Sequence, residues 1–169
     1  PSGGGEPAHL EHTYRRRGAV HLLAALNVVS GYVSGQVVAH KRFAEFSAFL
    51  RELISGAVRD GAHQIHLILD NGSTHRPKYL QQWLAESFPA VAVEVHWLPV
   101  RSSWLNQVEI FFGILQRHAL TPNDFADTDA VTHRIVDFIA YRNQRAKPIK
   151  WTYTSEQLRA KYEPVRLAA

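Results

Sequence analysis

The sequence has 169 residues, 46% hydrophobic and 20% charged, with no cysteine and no methionine. A chain of this length suits one domain and buries roughly 70% of its unfolded surface, and its 8 Phe, 6 Tyr and 4 Trp exclude a disordered composition. No run reaches the roughly 18 apolar residues of a membrane helix, the missing cysteines exclude disulfides and thiolate zinc sites, and the net charge of +4 is spread over the whole length.

The glycine-rich opening predicts a flexible lead-in over residues 1–17. A start at PSGGGEP without methionine reads as a piece of a longer protein. From Ala19 to Val29 the chain is almost continuously apolar, which predicts a strand buried on both faces. Ser30-Gly31 breaks it, and Tyr32 to His40 reads as a second strand, so a hairpin with a two-residue turn is expected. Phe46, Phe49, Leu50, Leu53, Ile54 and Ala57 then recur at helical spacing, with Gly61 placed to end the helix.

Gln64 to Leu69 is a short apolar strand that runs directly into Asp70. Pro77 starts a helix with Leu80, Trp83, Leu84 and Phe88 on one face, and Pro89 stops it. Val91, Val93, Val95 and Trp97 alternate as a strand does. Ser102 or Ser103 is expected to cap a helix whose apolar side is Leu105, Val108, Phe112, Leu115 and Ala119. A last helix starts near Asp127 or Thr128, and the tail from Pro148, with Trp151, Tyr153 and Tyr162, is expected to pack back. Strands alternating with helices indicate an α/β layered domain with a partly parallel sheet.

Two segments carry chemistry. HLILDNGSTH, residues 66–75, puts an acidic residue at the carboxyl end of a buried strand, where open α/β sheets bind ligands. The same residues also read as an ordinary Asx turn. LPVRSSWLNQVEIFFGIL, residues 98–115, carries Glu109 on a helix beside its buried stripe, where a surface glutamate is the plain alternative. Taken together, Asp70 and Glu109 project at one edge of the sheet. Two carboxylates there repel unless a proton or a cation joins them, and magnesium held by carboxylates and phosphates answers that need. Ser73, His75 and Asp70 lie too close in one turn to form a hydrolase triad. No H-E-x-x-H and no phosphate-binding G-x-x-x-x-G-K-[ST] pattern occurs, which excludes those zinc proteases and nucleotide motors. His63 and His66, at the start of a strand, read as surface residues. The clusters Arg15-Arg16-Arg17 and Arg142, Arg145, Lys147, Lys150 suit phosphate contacts.

The runs YRRRGAVHLLAALNVVSGYVSGQV, HLILDNGSTH, SSWLNQVEIFFGILQRHAL and YRNQRAKPIKWTY occur in that order between Tyr14 and Tyr153. In them the chain resembles the mariner-like superfamily of insertion-sequence transposases, whose DDE endonuclease domain has a ribonuclease H-like fold. The resemblance implies a mixed sheet flanked by helices, with the catalytic core over 18–120 and a helical extension, 121–169, packed on it. By the same resemblance Asp70 matches the second catalytic aspartate and Glu109 the third acidic residue. Asn71, His75, Ser103, Trp104 and Asn106 accompany them. It implies two Mg²⁺ or Mn²⁺ ions, cleavage of double-stranded DNA at transposon ends, strand transfer, and a homodimer at work. A bacterial, nucleoid-associated cytoplasmic location is expected, with no membrane. The family's first aspartate lies on a leading strand, and neither Glu6 nor Glu11 sits on an apolar strand. That strand and its carboxylate are expected to be absent, so this chain alone is expected to cut DNA barely or not at all, and an inactive DNA-binding or assembly module derived from a transposase is the alternative.

Overall fold

The computed structural model describes residues 18–75, 77–100 and 102–162. The lead-in 1–17, with Arg15, Arg16 and Arg17, lies outside them. Strands β1 (His21–Leu26) and β2 (Val33–Val38) pair antiparallel, His21 opposite Val38 and Leu26 opposite Val33. Helix α1 (Phe43–Arg59), strand β3 (Gln64–Leu69), helix α2 (Pro77–Ser87) and strand β4 (Ala92–Trp97) follow. β3 and β4 run parallel, Gln64 opposite Ala92 and Leu69 opposite Trp97. Helices α3 (Val108–Ala119), α4 (Thr128–Asn143) and α5 (Ser155–Tyr162) complete the order. The expected mixed α/β class is therefore observed. Among the described residues no helix is long and apolar enough to cross a membrane. Nor does any ladder there join β1–β2 to β3–β4.

Two apolar clusters hold the elements. One joins Phe46, Leu50 and Ile54 of α1 to Leu67 of β3 and Leu80 and Leu84 of α2. The other joins Val33 of β2 to Phe111, Leu115 and Ala119 of α3 and Ile135 and Ile139 of α4. Leu80 and Phe111 have no exposed surface, and each such side chain stabilises the fold by about 1.5–3 kcal/mol. α1 ends as its sequence suggested. Gly61, at φ +92°, donates to the Val58 carbonyl while the Ala62 N–H reaches the Ala57 carbonyl, which is a Schellman termination.

The hairpin differs from expectation. Its connection runs over six residues, Asn27 to Tyr32, instead of a two-residue Ser-Gly turn. Asn27 Oδ1 accepts from the backbone N–H groups of Val29 and Ser30, and the Gly31 N–H donates to the Asn27 carbonyl. An Asx side chain thus builds the turn and pulls Val28 and Val29 out to solvent. Gly31 is needed where it stands: at φ +75°, a Cβ there would overlap the Lys147 carbonyl.

α4 clamps this loop. Arg142 Nη1 donates to the Gly31 carbonyl at 2.6 Å, and its guanidinium lies 5.7 Å from the centre of the Phe111 ring. The Asn143 amide donates to the Val33 carbonyl at 2.8 Å and accepts from the Val33 N–H at 3.0 Å. Arg142 is half-buried, with Nη1 committed to the Gly31 carbonyl. α3 also departs in detail. Its fully buried face is Phe111, Leu115 and Ala119 at i, i+4, i+8, the expected Val108 and Phe112 pack against the same cluster half-buried, and Leu105 sits in a separate 3-10 turn, Ser103–Leu105.

Candidate active site

β3 delivers Asp70. Ile65, Leu67 and Leu69 belong to the α1–α2 cluster, and the chain leaves the sheet immediately after Leu69. Asp70 Oδ1 accepts from the Gly72 N–H at 2.9 Å and lies 3.1 Å from His75 Nδ1. The same imidazole nitrogen is 2.9 Å from the Asp70 carbonyl, and the His75 N–H donates to the Gly72 carbonyl at 3.0 Å. The His75 ring rests on Phe46 of α1, centroids 4.5 Å apart, so the turn is bolted to the core. Asp70 Oδ2 has no hydrogen bond among the described residues, and the side chain is 38% exposed, which leaves that oxygen open to a ligand. A Cβ at Gly72 would lie 3.0 Å from Oδ1, so glycine keeps the carboxylate uncrowded.

The second arm starts beside the first. Because β3 and β4 are parallel, Trp97 ends opposite Leu69, and the Leu98 N–H donates to the Leu69 carbonyl at 2.9 Å. Asn71 Nδ2 donates to the Leu98 carbonyl at 2.6 Å and stitches the two exits together. Beyond Pro99 the chain folds over buried Ser102 into the Ser103–Leu105 turn. Neither serine caps α3. The N-cap is Gln107, whose side chain makes no capping hydrogen bond, and Asn106 supports the turn before it: its Oδ1 accepts from the Val108 N–H at 3.3 Å and its carbonyl from the Glu109 N–H at 3.0 Å. In the sequence the start is marked by Asn106, a turn-forming residue just ahead of the apolar stripe. Glu109 is exposed in the first turn of α3, and its carboxylate carries no hydrogen bond or ion pair among the described residues.

The structure thus brings Asp70, Asn71 and His75 into one hydrogen-bonded turn and ties it to the segment that leads to Asn106 and Glu109. Ser103 is exposed. Trp104, expected to pack on the sheet edge, is 37% exposed and meets Tyr153 edge-on at 5.1 Å. Trp151 lies 6.4 Å from Tyr153, so the tail folds back through its aromatics. Arg145, Lys147 and Lys150 are exposed after α4. Asp70 at the end of β3 and Glu109 in the first turn of α3 each offer hard carboxylate oxygens, the kind of donor that Mg²⁺ or Mn²⁺ takes.

A search of the curated proteins finds no sequence similar to this chain. Among solved structures it is similar to the catalytic core domain of BIV integrase, at 16% identity and a TM-score of 0.53, over 88% of this chain and 90% of that one. That likeness shows the fold, which is ribonuclease H-like. A family model described as DDE superfamily endonuclease matches residues 2–132, a span that holds both Asp70 and Glu109. The chain belongs to the DDE superfamily endonucleases.

Proposed function

We propose that this chain is the catalytic core of a DNA transposase, in which Asp70 and Glu109 hold divalent metal for strand cleavage at transposon ends and for strand transfer. One observation carries the reading: two acidic segments leave a parallel strand pair at the same edge, joined by the Asn71–Leu98 hydrogen bond. The carboxyl edge of such strands is where α/β sheets place ligands. Bound magnesium or manganese supplies Lewis-acid polarisation of the phosphoryl oxygens and a more acidic water. The residues do the rest. His75 and the Gly72 N–H fix one oxygen of Asp70 and turn the other outward, while Asn106 sets the first turn of α3 and with it Glu109. Double-stranded DNA is contacted through Arg15, Arg16, Arg17, Arg142, Arg145, Lys147 and Lys150, and Arg142 also ties α4 to the Gly31 loop. The working assembly is a homodimer on DNA, associated with the nucleoid.

A second reading, a non-catalytic DNA-binding or assembly module, is favoured by the donor count. Two carboxylates hold one ion loosely, whereas a two-metal clamp needs both ions at fixed spacing. A nicking and strand-transfer assay on duplex DNA with Mg²⁺ or Mn²⁺ separates the readings. Metal-dependent products that vanish in Asp70→Asn and Glu109→Gln support the enzyme. Salt-sensitive DNA binding without products supports the module, and each phosphate contact adds about 0.9 to the log–log salt slope. Cleavage that survives both substitutions overturns the site.

A further inference from the structure

β3 and β4 have two faces. Ile65, Leu67, Val93, Val95 and Trp97 turn to α1 and α2, while Gln64, His66, Ile68, Glu94 and His96 turn outward and are exposed. On that outer face His66 stands opposite Glu94, and His96 stands two residues further along β4, opposite Ile68. Their donor atoms converge. His66 Nδ1 is 2.9 Å from His96 Nε2 and 3.4 Å from Glu94 Oε2, and His96 Nε2 is 3.8 Å from the same oxygen. The other carboxylate oxygen, Oε1, accepts from Gln64 Nε2 at 3.0 Å, which turns Oε2 toward the two rings.

We propose that His66, Glu94 and His96 form a binding site for a zinc-type dication, separate from the acidic pair at the strand ends. A tetrahedral ion with bonds of 2.0–2.1 Å to nitrogen and oxygen spaces its ligand atoms about 3.3–3.4 Å apart. The three observed separations bracket that length, so small side-chain adjustments seat the ion without backbone movement. Two imidazoles and one carboxylate are borderline ligands that select zinc over magnesium or calcium. A water completes the fourth position, since the side chains are each about half exposed. Gln64 plays the part of the outer partner that orients a ligating carboxylate. The ion joins β3 to β4 four residues before Asp70 on one strand, and on the other just before the segment that leads to Glu109. It therefore acts as a brace across the strands that feed the acidic edge.

The test is a zinc titration of the untagged chain, read by competition with a chromogenic chelator and by native mass spectrometry. One Zn²⁺ per chain with a micromolar or tighter Kd is expected, along with a melting temperature that rises with zinc concentration. His66→Ala and His96→Ala should each abolish both effects. Gln64→Ala should weaken binding roughly 10–100-fold. These positions are exposed, and circular dichroism of the zinc-free variants confirms folding. Asp70→Asn and Glu109→Gln should leave zinc binding unchanged, so failure of the acidic site and failure of this one are distinguishable. The absence of stoichiometric binding at micromolar zinc overturns the site. Binding that persists in His66→Ala and His96→Ala, or that is lost in Asp70→Asn, does so as well.

Discussion

The half of the molecule that delivers Asp70 and the half that delivers Glu109 are built in different ways. The first is continuous: α1, β3, α2 and β4 follow one another over residues 43–97 and share one apolar cluster. The second is assembled from the two ends of the domain. β1–β2 pack on α3 and α4, and the Asn143–Val33 hydrogen bonds close a separation of 110 residues. Local closure is entropically cheap and fast, and distant closure is neither. Asp70 is thus positioned by its own neighbourhood, whereas Glu109 depends on contacts made across the chain.

The strongest way to break the contrast is Phe111→Ala. It should cost about 3–5 kcal/mol, and amide exchange should speed up in β1 and β2 before β3 and β4. Leu80→Ala, similar in size at about 2–5 kcal/mol, should show the reverse order. Equal loss of protection in both halves under either substitution would show that one cooperative unit spans them. Next comes Asp70→Asn, expected to lower strand cleavage by about 10²-fold or more while the melting temperature barely moves. Asn143→Ala leaves the Val33 N–H and C=O without their partner and should cost about 1–3 kcal/mol, read from a urea midpoint. The smallest effect belongs to Trp104→Ala. Its ring is part-exposed and meets Tyr153 edge-on, so a loss of about 0.5–1.5 kcal/mol is expected, and a larger drop in melting temperature would mean the tail is essential to the fold.

The same contrast governs what could be read from the sequence. α1, β3, α2 and β4 were legible because periodicity and punctuation agree: a single helical stripe, Gly61 at its end, and an apolar strand stopping at Asp70. The hairpin half resisted. Val28 and Val29 extend the apolar run, so the Asx turn at Asn27 was hidden inside a supposed strand. The tie from Arg142 to Gly31 was hidden too, because the two lie 111 residues apart. Phe111 and Phe112 are adjacent and both pack on the cluster, and only the phase of α3 decides that Phe111 is the fully buried one. Trp104 was expected against the sheet because its actual neighbour, Tyr153, comes from the tail. Asp70 and Glu109 were visible as parts of two motifs, while the Asn71–Leu98 hydrogen bond joining the ends of β3 and β4 was not. His66 and His96 went unpaired in the sequence reading because strand register brings them together, and register is not written in either strand alone.

The Asn143 amide has a consequence beyond stability. By taking both main-chain groups of Val33, it occupies the place a neighbouring strand would fill along the outer side of β2. A side chain impersonating a strand is an end-stop. It blocks another polypeptide from zipping onto the hairpin at this point, a protection usually given by a lysine, a proline or a bulge. Removing the amide would therefore expose a template, and the first sign in concentrated solution would be self-association through the hairpin.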